Sequence, residues 1–350
     1  MKKTTLQYAF LAMGFALAVS ACKKDDNAAP VIPPSDGSKL TLNGGPGGAS
    51  AVNSVYVDFS ADRQDSVKRE SWDLGFYGGD DYRVIINHTT GATAIQINKT
   101  DLTQVTASDT IGKTSLLTLG TGDGAFSAID PVDTSKTTYL NGTVIKAVSA
   151  TDADNKVYII NRGTAGGVAK KDLEKVRIIR KSSGYTLQYA KLGETTFKTI
   201  DITKNADYNF NYISFENGAV TVEPAKAKWD IQWTLSTYKA TATIPYTFSD
   251  FVLINFVGGT QAAEIMTSTV SYENFAAANI AAVKFSSNRD VIGGNWRVTQ
   301  SSTETVGVRT NRFYVIKDVA GNVYKLRFIS FTSNDGGVRG YPVIEYKLVK

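Results

Sequence analysis

A mainly β fold with one or two short helices is what this sequence predicts, and three observations lead there. Aromatic residues are plentiful (17 Tyr, 16 Phe and 4 Trp) and threonine and valine are common, a composition that suits pleated, half-buried surfaces. Short apolar or alternating runs are bounded by glycine-bearing turns. The chain also repeats itself at an offset of 156 or 157 positions.

The first residues are set aside before the fold is read. "MKKTTLQYAFLAMGFALAVSAC" has Lys2 and Lys3, an apolar run from Tyr8 to Val19, and small residues before Cys22. The run is short for a membrane span and reads as a secretory signal, residues 1–21. Val19-Ser20-Ala21-Cys22 fits a lipobox, in which the thiol becomes a thioether to lipid and cleavage follows Ala21. Cys22 is the single cysteine, so the mature chain has no internal disulfide and relies on packing. Residues 22–45 are polar and proline-bearing and read as a lipidated N-terminus and flexible tether. Acyl chains there place the protein on a membrane without a spanning helix.

Two related β units are expected beyond the tether, residues 46–203 and 204–350. Phe59 and Trp72-Asp73 in the first match Phe215 and Trp229-Asp230 in the second. "NKVYIINRGTAGG" matches "NRFYVIKDVAGN", setting Tyr158 against Tyr314, and "GYTLQYAKL" matches "GYPVIEYKL", setting Tyr189 against Tyr346. Loop lengths vary between these landmarks while the offset holds, as loops on a shared strand framework do. Strand patterns appear in "VYVDF", "YRVIIN", "KVYIIN", "VRIIRK", "DFVLINFV" and "VYKLRFISF". The best helix candidate is the alanine-rich Tyr272–Phe285, and the segment from Ser135 to Lys156 is ambiguous. Trp72-Asp73 and Trp229-Asp230 read as structural, a buried Trp beside an Asp that satisfies a turn.

Signals for catalysis are thin, and the chain reads as a binding protein rather than an enzyme. One histidine, His88, cannot build a multi-histidine zinc site, and neither HExxH nor G-x-S-x-G occurs. Asp80-Asp81 are adjacent and point to opposite faces if extended. Asp152–Asn155 lacks the glycine and glutamate of a calcium loop. The balance of 38 basic to 33 acidic residues is mild. The dense run Lys170–Lys181 reads as the solvated face of a strand and its turn rather than a nucleic-acid patch. Met266 is the one methionine beyond the leader; its thioether is a soft donor.

With the lipobox at Cys22, "SWDLGFYGGDDYRVIINHTTGATA", "KWDIQW" and the closing "FYVIKDVAGNVYKLRFISF…GYPVIEYKLV", the sequence resembles the HmuY family of haem-binding bacterial lipoproteins, in two copies of the pattern. The resemblance implies an outer-membrane lipoprotein that holds haem between β fingers with two axial side chains, histidines or methionines. It then passes the haem to a TonB-dependent receptor. This chain departs from that pattern, offering one imidazole and one thioether. If haem is bound, Met266 is the first candidate ligand and His88 the second. Tyr238, Tyr246 and Tyr272 are further possibilities, and Thr234 follows the second Trp-Asp motif without being a strong donor. The alternative is a non-haem surface binding module of the same fold, for glycan or protein.

Overall fold

In the computed structural model, which describes residues 33–120 and 123–350, the apolar runs form antiparallel strands. One five-stranded sheet has the order Gly37–Thr41, Val343–Leu348, Val323–Ser330, Arg312–Lys317, Gln261–Met266. A second has Lys198–Thr203, Gly184–Lys191, Glu174–Lys181, Val157–Asn161, Thr93–Ile97. Two four-stranded sheets and a two-stranded ribbon, Arg297–Val298 with Gly307–Val308, complete the described residues' sheets. The first four-stranded sheet is Gly218–Val220, Phe210–Ser214, Leu74–Tyr77, Val84–Ile86, and the second is Pro245–Ile254, Ile231–Lys239, Asn53–Asp58, Arg63–Lys68.

Side-chain alternation stacks these sheets in layers. From the strand Asn53–Asp58, Val55 and Val57 join Ile231, Trp233, Tyr314, Tyr324 and Tyr346 in one core. The intervening Tyr56 faces the opposite way, into a cluster with Trp72, Tyr139, Tyr212 and Trp229. From the strand Phe210–Ser214, Tyr212 enters that same central cluster, while Ile213 joins Leu74, Phe76, Tyr158, Tyr185 and Tyr189 in a further core. The four-stranded sheets are therefore covered on both faces, which explains their nearly continuous apolar runs.

Hydrogen bonding crosses position 203–204 in both directions. The hairpin 53–68 pairs with Ile231–Lys239, and the hairpin 210–220 pairs with Leu74–Tyr77. The registers share the sequence offset: Val57 faces Ile231 while Ile213 faces Leu74. Likewise Val176 lies between Tyr158 and Tyr189, and Leu326 between Tyr314 and Tyr346. Residues Pro34–Lys350 form one compact unit, in which strand pairing runs across the boundary expected between 46–203 and 204–350.

The two Trp-Asp motifs hold this pairing together. Asp73 accepts the Phe215 N–H and Asp230 the Phe59 N–H, each at 2.8 Å. Each Asp thus ties its strand to the hairpin from the other part of the chain, rather than closing a local turn. Behind them, Asn87 Nδ2 donates to the carbonyls of Arg69 and Trp72, and Asn255 Nδ2 to those of Lys226 and Trp229.

Two expectations are corrected. Residues Gly37–Thr41 fall within the tether expected over 22–45, yet they form an edge strand registered against Val343–Lys347. The helix expected over Tyr272–Phe285 is only a 3-10 turn at Ala277–Ala282. Tyr272 and Phe275 both pack on Phe313, with ring centroids at 5.6 and 5.5 Å. That packing draws the chain off a helical path despite its alanines. Among the described residues the α-helix is Lys136–Gly142, in the ambiguous segment, with Tyr139 and Leu140 buried.

Candidate functional site

His88 follows the strand Val84–Ile86 in a loop fixed by the buried Arg69. That guanidinium donates to the carbonyls of Ala51 and Thr89 at 2.7 Å and of Ala165 and Gly166 at 3.2 Å. His88 Nδ1 lies 3.0 Å from Ser236 Oγ, and its carbonyl accepts both the N–H and the hydroxyl of Thr237. Its ring meets Trp72 edge-on at 6.1 Å. Burial, with Arg289 adding to it, holds the imidazole well below its usual pKa, so it is neutral at pH 7. A neutral imidazole is a competent metal ligand. The cavity that it lines with Tyr56, Tyr139, Glu223 and Arg289 measures only about 40 Å³. That is room for a few waters and not for a porphyrin.

Met266 ends the edge strand Gln261–Met266, opposite Arg312, and is 36% exposed. Its thioether is accessible from solvent. Arg312 beside it is ion-paired to Glu264 at 3.0 Å. The cavity lined by His88 does not include Met266, so the two candidate ligands do not face a common space. A haem gripped by both does not fit these residues.

The hydroxyl candidates divide. Burial raises the Tyr238 and Tyr272 phenols, with Asp290 adding to the first and Glu345 to the second, which opposes a tyrosinate ligand at neutral pH. Tyr246 is 47% exposed and edge-on to Phe248 at 5.5 Å. Thr234 is buried and shares a 2.7 Å hydrogen bond with Ser54, so it is structural.

A larger concavity, which sequence reasoning missed, opens over the strand Gly184–Lys191. It measures about 500 Å³ and is lined by Arg162, Lys170, Lys171, Glu174, Lys198, Glu216 and neighbouring residues over Tyr189 and Phe215. Arg162 forms its rear wall, bidentate to Asp73 at 2.6 and 2.9 Å and bonded to Glu216 at 2.7 Å. Lys171 reaches the other Glu216 oxygen at 3.3 Å, and Lys191 pairs with Asp172. The basic run Lys170–Lys181 is thereby explained. Lys175 turns inward to the Val105 carbonyl, Arg177 and Arg180 fasten loops to the sheet, and Lys170 and Lys171 edge the cleft. Of the adjacent Asp80 and Asp81, Asp81 is held by Arg83 at 2.6 Å.

Cys22 and the leader lie outside the described residues. Among those described, no helix is long and apolar enough to cross a membrane.

Comparison with known proteins places this architecture. The family model described as HmuY protein matches residues 50–346. A solved structure described as an HmuY-like heme binding protein from Bacteroides vulgatus is similar at 8% identity, over 91% of this chain and 97% of that one. Its TM-score is 0.21, and no argument rests on it. No curated protein matches the chain. The match spans both four-stranded sheets and nearly all of the five-stranded ones, and on it the chain belongs to the HmuY family.

Proposed function

We propose that this chain is a non-enzymatic binding lipoprotein that takes up haem or a related porphyrin at the outer membrane and hands it to a TonB-dependent receptor. The observation that carries the reading is the family match across residues 50–346, essentially the whole folded body. Met266 supplies the one accessible soft donor, at a strand end that faces solvent. Met266 would offer haem iron a neutral thioether donor, which favours the ferrous state. His88 serves the fold, orienting the Thr237 backbone and closing the central cavity.

Hemin titration with and without dithionite, followed by the Soret band, tests this. Saturable binding should be tighter in the reduced state. Met266→Ala should weaken it by about tenfold or more, the scale on which losing one axial donor is felt, and His88→Ala should leave it unchanged. Binding that is equal in Met266→Ala and wild type removes the thioether from the account. Absence of saturable binding in both redox states removes haem.

Membrane attachment is tested separately. Fatty-acid labelling of cells should mark the wild type and spare Cys22→Ser, because a thioether cannot form on serine. Equal labelling of the two, or none, removes the lipid anchor.

A further inference from the structure

We propose that the cleft over Gly184–Lys191 is a binding site for an acidic sugar, with Lys170 and Lys198 taking its carboxylate and Glu174 a ring hydroxyl. This site is separate from Met266 and does not depend on haem binding.

The argument starts from what the cleft leaves unmatched. Arg162, Lys171 and Lys191 are each engaged by a carboxylate, and Glu216 and Asp172 are in turn taken up by these cations. Lys170 has no ion-pair partner among the described residues, and Lys198 only lies over the Tyr189 ring at 5.9 Å. Glu174 is the informative group. It is 5% exposed, lines the cleft, and its Oε2 is buried with no hydrogen bond. An orphaned buried carboxyl is costly and marks a position that a ligand completes. Burial pushes Glu174 up to about 7, so near neutrality it both donates and accepts. A hydroxyl matches that; an ammonium would require a full carboxylate. Glu194 on the rim repels a bare anion, which again favours a carboxylate embedded in a hydroxylated ring.

Size and lining agree. About 500 Å³ lies in the range of small-ligand sites. Nine of the twelve lining residues are charged, which suits a ligand covered in hydroxyls and disfavours an apolar macrocycle. Arg162 and Glu216, already locked together, present fixed polar edges without reorganising.

The test is calorimetric titration of the purified full chain in detergent with D-glucuronate, D-glucose and L-glutamate. Glucuronate should bind saturably and glucose at least about tenfold more weakly, since it lacks the charge. Lys198→Ala, on an exposed side chain whose loss leaves folding intact, should lower glucuronate affinity about tenfold. Glu174→Ala should do the same, while Glu174→Gln, which keeps a donor and an acceptor, should stay within roughly threefold of wild type. Hemin binding should be the same in Lys198→Ala as in wild type, which keeps this outcome apart from that of the haem reading. The assignment is overturned if glucuronate fails to saturate, if glucose binds equally, or if both alanine variants bind like wild type. Tighter binding of glutamate than glucuronate also overturns it, in favour of an amino acid.

Discussion

Replacing Arg162 with methionine should lower the unfolding free energy by about 3–5 kcal/mol, the cost typical of stripping one partner from a buried ion pair. Arg162 and Asp73 are both buried, and the guanidinium spans both carboxylate oxygens. Burial pushes the Asp73 carboxyl up, and Arg162 pulls it back towards the charged form. Without the arginine, Asp73 is an unpaired charge or a protonated acid at the point where two hairpins join. Glu216, held at about 2 chiefly by its hydrogen bond to Arg162, also loses its anchor. Asp73→Asn alone should be less damaging, because an amide oxygen still accepts the Phe215 N–H. The double variant Asp73→Asn, Arg162→Met should recover much of the loss. The corresponding place in the other half shows why: Asp318 stands where Arg162 would, and Asp230 is pushed by burial to about 8 and carries its proton instead. Urea unfolding of the three variants at pH 7 measures this. A single Arg162→Met that unfolds like wild type would show the ion pair to be ornamental.

The same residues show what the sequence could reveal. Tyr158, Tyr314, Tyr189 and Tyr346 were legible because each is a large buried side chain at a fixed place in a strand, and Trp72 and Trp229 because each is buried two residues before one; the offset of the tyrosines reappears in the strand registers. The role of Asp73 was legible only in part. Its partners, Arg162 and the Phe215 N–H, lie 89 and 142 positions away, whereas turn chemistry is read from neighbours. The cleft was hidden for the same reason: Arg162 meets Glu216 across 54 positions. Glu174 sits within a run of basic residues that looks uniformly solvated, yet strand alternation buries it. His88 and Met266 stood out by rarity, and rarity says nothing about whether two side chains face one space. The strand Gly37–Thr41 was missed because a five-residue edge strand of mixed polarity is indistinguishable from a tether until its partner, some three hundred positions on, is known.

Stability should fall as pH rises from about 5 to 8.5, and two buried acids should account for most of the change. Glu223 lies in the central cluster, its Oε1 accepting the Phe210 N–H at 2.7 Å, and burial pushes it from 4.5 to about 8. Asp230 is pushed by burial from 3.8 to about 8 while accepting the Phe59 N–H. In both, the folded state holds its proton more tightly than the unfolded chain does. Between about 4 and 8 the unfolded state therefore binds fewer protons at these two groups, and their contribution to stability declines with pH throughout that window. At about 1.4 kcal/mol per unit of pKa, each group removes a few kcal/mol by pH 8.5. Asp130, at about 6, and Glu174, at about 7, both through burial, add to the lower part of the same slope, while His88, which burial holds well below its usual 6.5, opposes it at the acid end of the window. Glu216 acts in the opposite sense, but its contribution is lost only as pH falls through about 4.5 towards 2, outside the window. The amides Glu223→Gln and Asp230→Asn keep the acceptor for each backbone N–H and never ionise. The double variant should come close to wild type near pH 4 and exceed it increasingly as pH rises, by several kcal/mol at pH 8.5. Thermal and urea unfolding across this range read the effect. A wild-type profile that is flat or rising, or one that both amides leave unchanged, would mean that these carboxyls are not held as neutral acids inside the fold.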